Sequence, residues 1–377
     1  MNRYNISWIT PSCYVDVDLP IVNQLRKDYY INWIVVLEPN SSDDVIKYIE
    51  DVIKDRKGIQ IDYRIQYHRL RSLKNLSFVY NIIKAAKKTK PSVIYTSEYA
   101  MPYGLVLYKM FLPLKKTVAA CHNVTTPKGA NNEHFAKFYT DRWLKTFLNI
   151  QTFSKSQCNV LISKYTGKNV LMSYLAIKDY GEPSISFDSS IKTINFLMFG
   201  NIVGYKRVDL LLDAVNILVE RGITNFKVTI AGNCKESWEK IYQPRIKYPQ
   251  YFNFLLKRIP NEDVANLFEQ SHYFVMPYQD IAQSGAITVA FRYNIPVICS
   301  DIEQFKEFVN DGVTGYMFKS QDAISLADKM EWVIKNHATN YDMIRQNEQF
   351  FVNDNLSLSS IVNKYKLFFD DLCKSQN

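Results

Sequence analysis

Short apolar runs alternate with amphipathic segments along the first half of the chain. Four runs have the length and the Val, Ile and aromatic content of buried strands: NISWIT at 5–10, NWIVVLE at 32–38, SVIYTS at 92–97 and TVAACHN at 117–123. The segments between them begin with polar residues and place their apolar residues at helical spacing. Strands that alternate with helices predict βαβ units around a parallel sheet.

This alternation is interrupted once and then begins again. Residues 181–192, GEPSISFDSSIK, are rich in Ser and begin with Gly-Glu-Pro, which is typical of a linker. Beyond them apolar runs and amphipathic segments again follow one another, and a last amphipathic segment, LSLSSIVNKYKLFFDDLCKS, predicts a terminal helix. We therefore predict an α/β protein with two Rossmann-like, doubly wound domains.

Composition narrows the class of protein. The 377 residues are 47% hydrophobic and 14% aromatic, which supports two large cores and argues against disorder. No run approaches the roughly 18 apolar residues of a membrane span, and the opening residues lack the pattern of a signal peptide. Six scattered Cys include no C-x-x-C pair, which favours reduced thiols over disulfides or zinc. These features predict a cytoplasmic protein.

The positive charge is concentrated in the first half. Residues 1–185 carry 26 Lys and Arg but only 15 Asp and Glu, whereas the remainder of the chain has a balance of −2. A one-sided basic half suggests an anionic partner: phospholipid headgroups, a phosphorylated acceptor or nucleic acid. A solvated basic face without any partner fits the same numbers.

Two loops that follow predicted strands of the second half have features of anion sites. In FGNIVGYKRVDLLLDA, Gly200 ends a strand and Lys206 and Arg207 precede a helix. Free backbone amides at a helix start, together with two cations, suit a phosphate, although this is neither a Walker loop nor G-x-G-x-x-G. An ordinary solvated turn is the alternative.

The second loop lies in YQDIAQSGAITVAFRYNIPVICSD. Its residues Gln283, Ser284, Gly285 and Ala286 open a predicted helix. Small residues let a ligand approach the backbone, and the amides of Gly285 and Ala286 could meet a diphosphate. A loop selected only for packing is the alternative here. Ligands of open α/β sheets bind outside the carboxyl ends of the strands, where both loops are expected.

Four segments carry a resemblance to a known family. FGNIVGYKRVDLLLDAV, VTIAGN, PYQDIAQSGAITVAFRYNIPVICSD and EFVNDGVTGYMF, in this order, resemble the donor half of family-4 glycosyltransferases of the GT-B fold. The resemblance implies two Rossmann-like domains with a cleft between them. Residues 1–185 would bind the acceptor, residues 186–352 would bind a nucleotide-sugar donor, and the helix at 353–377 would cross back onto the first domain.

The same resemblance implies roles for individual residues. Lys206 would contact the donor phosphates, and His122, after a strand of the first domain, would face the donor sugar. A strand around Arg258 and Ile259 would read the nucleobase through its backbone. Asn201 replaces an arginine that often contacts phosphate, and Arg207 would supply that charge. The implied donor-binding set is Gly200, Asn201, Lys206, Arg207, Arg258, Ile259, Gln283, Ser284, Gly285 and Ala286.

The chain also departs from the family pattern. The two signature glutamates should fall at Ile281 and Val289, and PSCYVDVD replaces the glycine-rich loop after the first strand. The chain resembles a Gln-Ser-Gly variant of the signature loop. Contacts to the sugar and ribose are then expected from Asp280, Gln283 or Ser284.

Other residues that could carry chemistry also have simpler explanations. Asp16 and Asp18 form a D-x-D pair, which holds metals in the other large glycosyltransferase fold, but short acidic patterns are common. The remaining histidines, at 68, 134, 272 and 337, lack ligand spacing, so no metal site is expected. The aromatic and basic run at 131–153 suits a helix that packs into the core, with membrane docking as the alternative.

The resemblance implies a function for the whole chain. It would move a sugar from a UDP- or GDP-sugar to a saccharide or lipid-linked acceptor in surface polysaccharide biosynthesis, with retention and without metal or cofactor. Nucleic acid is not an expected partner, whereas an anionic membrane surface is, at the inner face of the membrane. The alternatives are a sugar-nucleotide epimerase of the same fold and a degenerate nucleotide-sugar-binding protein.

Overall fold

A computed structural model describes residues 3–69, 72–97, 103–125, 133–185, 193–281 and 285–374. The chain divides into two compact units. The first comprises Met1–Ala176 and Ser357–Asn377, and the second comprises Ile177–Leu356. Among the described residues, no helix is both long and apolar enough to cross a membrane.

The first unit is built on a seven-stranded parallel sheet. Its strands are β1 (Asn5–Pro11), β2 (Tyr30–Leu37), β3 (Ile59–Ile65), β4 (Val93–Thr96), β5 (Thr117–Ala120), β6 (Asn149–Thr152) and β7 (Asn169–Met172). Their order in the sheet is β3-β2-β1-β4-β5-β6-β7. The sequence pattern located β1, β2, β4 and β5. It missed β3, at the sheet edge, where polar residues interrupt the apolar ones, and the short strands β6 and β7.

In the described part of this unit, six α-helices connect the strands: α1 (Val15–Leu25), α2 (Ser42–Val52), α3 (Asn75–Lys88), α4 (Gly104–Phe111), α5 (Glu133–Thr146) and α6 (Lys155–Lys164). The expectation of one helix over 131–153 is wrong. The helix ends at Thr146, and Asn149–Thr152 is a fully buried strand paired with β5 and β7.

The second unit contains a six-stranded parallel sheet. Its strands are β8 (Ile194–Phe199), β9 (Phe226–Ala231), β10 (Phe252–Leu255), β11 (Tyr273–Met276), β12 (Val297–Ser300) and β13 (Tyr316–Phe318), in the order β10-β9-β8-β11-β12-β13. The helices are α7 (Val208–Glu220), α8 (Trp238–Ile241), α9 (Asn261–Glu269), α10 (Gly285–Arg292), α11 (Glu303–Lys306), α12 (Ala323–Lys335) and α13 (His337–Asn355). The prediction of two Rossmann-like parallel sheets is confirmed.

The last helix, α14 (Leu358–Lys374), belongs to the first unit. Its residues Ile361, Tyr365 and Phe369 are buried in the core of that unit. The Tyr29 hydroxyl donates to Asp370 at 2.7 Å, which fixes the helix against the end of α1.

The segment 177–185 belongs to the second unit, although the sequence placed it before the domain boundary. The Arg292 guanidinium pairs with Asp179 at 2.9 Å and with Glu182 at 2.6 Å, and the Tyr293 hydroxyl donates to the Gly181 carbonyl. These contacts attach the segment to the end of α10, so the boundary lies nearer to residue 177.

Each sheet has one point where the strand order reverses. In the first unit this switch point lies between β1 and β4, and in the second it lies between β8 and β11. Because neighbouring connections leave on opposite faces there, a crevice opens outside the carboxyl ends of the two strands. Ligand-binding residues are expected at these two places.

Candidate functional site

The carboxyl ends of β8 and β9 meet at two glycines. Gly200 has φ +105° and Gly232 has φ +147°, in the left-handed region that favours glycine. A Cβ atom on Gly232 would lie 2.2 Å from the Gly200 carbonyl oxygen. The two strand ends therefore approach each other more closely than any side chain allows.

Lys206 ends a short turn, Gly204–Lys206, beside this glycine pair. Its Nζ lies 2.8 Å from the position that a Cβ on Gly200 would take and 5.2 Å from the centre of the Tyr278 ring. The residue is only 7% exposed, and burial lowers the pKa of its ammonium to about 8. None of the ion pairs between described residues involves Lys206. A buried cation that forms no ion pair has the chemistry needed to bind an anion.

The loops after β8 and β11 are joined around Lys206. The Gln279 amide donates to the Tyr205 carbonyl at 2.9 Å, and the rings of Tyr205 and Tyr278 meet edge to face at 5.9 Å. The Ser300 hydroxyl, at the end of β12, donates to the Tyr278 carbonyl at 2.5 Å. These bonds link three strand ends, so they hold the surface around Lys206 in one arrangement.

Arg207 does not present a free charge at this corner. It takes a left-handed conformation, with φ 51° and ψ 50°, and its guanidinium forms two bonds to Asp209, at 3.0 Å from Nε and 2.8 Å from Nη2. The sequence suggested that Arg207 supplies a phosphate charge in place of Asn201. The Asp209 carboxylate neutralises much of that charge, which leaves Lys206 as the cation of the corner. Asn201 is exposed in the loop after β8.

The start of α10 is open where the sequence expected backbone contacts. Gly285 is exposed, a Cβ atom there would lie within 4 Å of none of the described residues, and Ala286 is half-buried. Gln283 and Ser284 lie outside the described residues. Ile281 and Val289, at the positions of the signature glutamates, are both buried in the second unit. Glutamates there would lose their hydration, so the apolar residues suit the places they occupy.

Arg258 and Ile259 do not lie on a strand. The strand β10 ends at Leu255, where the Lys257 amide turns back to the Leu255 carbonyl at 2.9 Å. Arg258 is exposed and Ile259 is half-buried in the loop that follows. Because β10 is an edge strand separated from β8 by β9, both residues lie in a loop at the edge of the sheet.

His122 occupies the corresponding edge of the first unit, just after β5. Its imidazole is stacked between the Tyr14 ring, at 3.8 Å and 2°, and the Phe153 ring, at 4.3 Å and 15°. Burial lowers the pKa of His122 to about 3, and among the described residues Nε2 has no hydrogen-bond partner. The ring is therefore neutral at pH 7, and its Nε2 is a buried nitrogen that no described residue satisfies.

Sequence reasoning missed Tyr14. It lies in the PSCYVDVD segment that replaces the family's glycine-rich loop, and its ring covers the face of His122. The one available signal was an aromatic residue immediately before α1. Its partner is more than a hundred residues away in the chain, so the stack could not be read from local pattern.

The D-x-D pair does not form a two-carboxylate site. Asp18 is buried, and its Oδ2 accepts from Trp8 Nε1 at 3.0 Å, Thr10 Oγ1 at 2.7 Å and Ser97 Oγ at 3.2 Å. Burial raises the pKa of Asp18 to about 6. Asp16 lies two residues earlier on α1, roughly 200° around the helix. In the described parts of the chain, no group of His, Cys, Asp and Glu could hold a metal ion.

Comparison with known proteins bears on the second unit most directly. Residues 184–350 match the family model described as glycosyl transferases group 1. The chain carries a group 1 glycosyltransferase domain. No curated protein matches the chain.

Solved structures match this glycosyltransferase over nearly its whole length. A glycosyltransferase from Rickettsia africae has a TM-score of 0.75 at 17% identity, covering 99% of this chain and 100% of that one. HepE from Anabaena, in complex with UDP and glucose, has a TM-score of 0.71 at 12% identity, with 98% and 100% coverage. A TarM mutant from S. aureus, in complex with fondaparinux, α-GlcNAc-glycerol and UDP, scores 0.70 at 11%, with the same coverage. The fold of the glycosyltransferase is therefore GT-B.

The structure of this GT-B glycosyltransferase brings together only part of the predicted site. Gly200 and Lys206 are in contact beside the β8 and β11 ends, and Gly285 and Ala286 open the helix that follows β11. Arg207 is paired with Asp209, and Arg258 and Ile259 lie on the loop after the edge strand. His122 belongs to the first unit, where the aromatic rings of Tyr14 and Phe153 surround it.

Proposed function

We propose that this glycosyltransferase binds a nucleoside diphosphate sugar at the carboxyl ends of β8 and β11. The observation that carries the proposal is Lys206, a buried cation with no ion pair among the described residues, whose ammonium fills the space that the absent side chain of Gly200 leaves. Burying an unpaired charge costs free energy unless an anion arrives to compensate it. A diphosphate carries that charge, and the switch point of the sheet is where such a ligand fits.

The preferred donor in this proposal is a UDP-sugar, with a GDP-sugar as the second choice. HepE and TarM, which share the fold, were each solved with UDP. Asn201, Arg258 and Ile259 remain proposed contacts along the same sheet edge, and Arg207 contributes with its charge reduced by Asp209. Asp280, Gln283 and Ser284 remain the proposed source of contacts to the sugar and the ribose.

The chemistry that we propose depends on charge at the leaving group. As the glycosidic bond breaks, negative charge develops on the diphosphate, and Lys206 together with the amides of Gly285 and Ala286 stabilises it. His122 is neutral, so it can hydrogen-bond a hydroxyl group of a sugar without attracting the diphosphate. In this proposal the reaction retains the anomeric configuration and requires no metal.

We also propose a family and a biosynthetic pathway for this glycosyltransferase. We propose that the chain is a family-4 enzyme with the Gln-Ser-Gly loop variant, in which buried Ile281 and Val289 replace the two glutamates. Residues 1–185 with the helix at 353–377 would bind a saccharide or lipid-linked acceptor of surface polysaccharide biosynthesis, and residues 186–352 would bind the donor. The basic first half supports a peripheral position at the inner face of an anionic membrane.

The test is donor binding followed by donor consumption. We expect the purified chain to bind UDP in isothermal titration calorimetry and to release UDP from one UDP-sugar in a panel, in the presence of a saccharide acceptor. Lys206→Met should weaken UDP binding and leave the thermal unfolding midpoint without ligand close to that of the wild type. If neither UDP nor GDP binds, or if both bind equally well to Lys206→Met, the proposed donor site is wrong.

A further inference from the structure

The net positive charge of the first half comes from one stretch. Between residues 63 and 132 the chain has 12 Lys and Arg and a single acidic residue, Glu98. The rest of residues 1–185 is balanced in charge, so this stretch holds the whole excess. A local block of one sign produces a potential that attracts the opposite charge far more strongly than the average over the unit would suggest.

This stretch supplies α3 and α4, which lie beside α5 in the first unit. The three helices share one core, in which Val79 and Ile82 of α3, Tyr108 of α4 and Trp143 of α5 are buried. One side of each helix is therefore buried in this core. The opposite side, which we call the outer face of α3–α5, is turned to solvent within this unit.

Large apolar side chains remain exposed on the outer face of α3–α5. They include one residue on α3, three on α4 and two on α5: Tyr80, Val106, Met110, Phe111, Phe135 and Phe138. A cleft of about 470 Å³ lies between α4 and α5 and is lined by several of them. The Tyr80 and Phe111 rings meet edge to face at 5.3 Å, which joins α3 to this surface. Adjacent exposed apolar groups of this size mark an interaction site.

Cations are interleaved with these apolar groups. The exposed ones are Lys84, Lys87 and Lys88 on α3, Lys109 on α4, and Arg142 and Lys145 on α5. The Arg142 guanidinium lies 5.2 Å from the centre of the Phe138 ring, so charge and apolar surface are in direct contact. Among the described acidic side chains, only Asp141 belongs to these helices, and Lys145 and Tyr165 already bind it.

We infer that the outer face of α3–α5 docks on an anionic lipid bilayer. Apolar side chains can enter the boundary between headgroups and acyl chains while neighbouring Lys and Arg remain at the level of the lipid phosphates. A nucleic acid would match the cations but not Val106 and Met110, which offer nothing to phosphates or bases. The inference rests on the proposed lipid-linked acceptor, because such an acceptor is held in the plane of a membrane.

The experiment is sedimentation of the full chain with vesicles of phosphatidylcholine alone or of equal parts phosphatidylcholine and phosphatidylglycerol. The wild type should bind the anionic vesicles only, and binding should weaken as salt is added. The triple variant Lys84→Gln, Lys87→Gln and Lys88→Gln should bind roughly a hundred-fold more weakly. The double variant Met110→Ser and Phe138→Ser should lose about ten-fold, since less apolar surface is buried.

Matched controls come from the second unit. Met343 and Phe350 are 48% and 60% exposed, close to the 66% and 58% of Met110 and Phe138. Met343→Ser with Phe350→Ser, and the triple change of Lys235, Lys240 and Lys257 to Gln, should bind vesicles like the wild type. Thermal unfolding of every variant checks that the fold is intact.

Three results would overturn the inference: equal losses in the control variants, no preference for anionic vesicles, or lipid-free self-association that the outer-face substitutions abolish. Binding of UDP is measured separately in solution. If the protein binds UDP normally but does not bind vesicles, only the proposed docking surface is wrong. If it binds vesicles as expected but does not bind UDP, only the proposed donor site is wrong.

Discussion

The two units use the same topological position in opposite ways. At the switch point of the first unit, Asp18 fills the space and accepts hydrogen bonds from Trp8 and Thr10 of β1 and from Ser97 after β4. After the neighbouring strand β5, the rings of Tyr14 and Phe153 enclose His122. At the switch point of the second unit, Gly200 and Gly232 leave the backbone bare, with Lys206 above it. One crevice is walled by rings and a neutral imidazole, and the other by backbone and a cation.

This difference teaches which ligand each crevice can take. Bare backbone beside a cation suits a compact, highly charged group such as a diphosphate. A wall of rings around a neutral imidazole carries no charge, so it has nothing that attracts an anion. The fold alone would not distinguish them, because both sheets are parallel and doubly wound.

The largest expected effect tests whether the glycine pair is needed for the second crevice. Gly232→Ala forces a Cβ atom into the Gly200 carbonyl, so the free energy of unfolding should fall by more than about 3 kcal/mol. Gly222 also has a positive φ, but a Cβ atom there meets nothing within 4 Å. Gly222→Ala should cost only about 1 kcal/mol. Urea denaturation measures both, and equal losses would mean that close backbone approach is unimportant.

The next effect concerns the buried carboxyl of the first crevice. Because burial raises the pKa of Asp18 to about 6, the folded state keeps a proton that the unfolded state releases at lower pH. This contribution to stability is present at low pH and is lost as pH rises through 6. Relative to Asp18→Asn, the wild type should lose about 3 kcal/mol of unfolding free energy between about pH 4 and pH 7. A pH-independent difference would show that Asp18 is already ionised.

A comparison within the second crevice separates its two adjacent cations. Lys206→Met should weaken UDP binding by about 10- to 150-fold, the value of a charge-assisted bond to phosphate. Arg207→Met should weaken it by less than about 5-fold, because Asp209 already holds the guanidinium. Isothermal titration calorimetry measures both variants. A larger loss for Arg207→Met would reverse the assignment of the two residues.

The pH dependence of the same measurement adds a second check. Burial lowers the pKa of Lys206 to about 8, so the cation is lost as pH rises above this value. The affinity of the wild type for UDP should fall by up to about ten-fold for each pH unit above 8. Lys206→Met should bind weakly with no such slope. A slope that persists in the variant would point to another titrating group.

The smallest effect concerns the ring stack. Tyr14→Leu opens one face of His122 to water, so the pKa of the imidazole should rise from about 3 towards its ordinary value. Tyr14→Phe preserves the stack and should leave the pKa low. Histidine proton resonances followed across pH measure both changes, and identical titrations would show that Phe153 and the strand ends alone keep the ring dry.

The sequence predicted the architecture well because apolar runs of strand length are a local signal. It failed for β3, where polar residues alternate along an edge strand, and for Arg258 and Ile259, where a backbone turn ends β10 early. In the site, Gly200 and Lys206 could be predicted because a glycine and a cation after a strand are visible in the chain. The pairing of Arg207 with Asp209 depends on a left-handed backbone, and the Tyr14 stack depends on a long-range contact.

The return of α14 to the first unit has a consequence for how the chain folds during synthesis. The residues of the second unit are continuous and leave the ribosome before α14 does, whereas the core of the first unit lacks Ile361, Tyr365 and Phe369 until then. Domains generally fold as units when their segments are available. The half of the protein that is made first should therefore be the half that completes its core last.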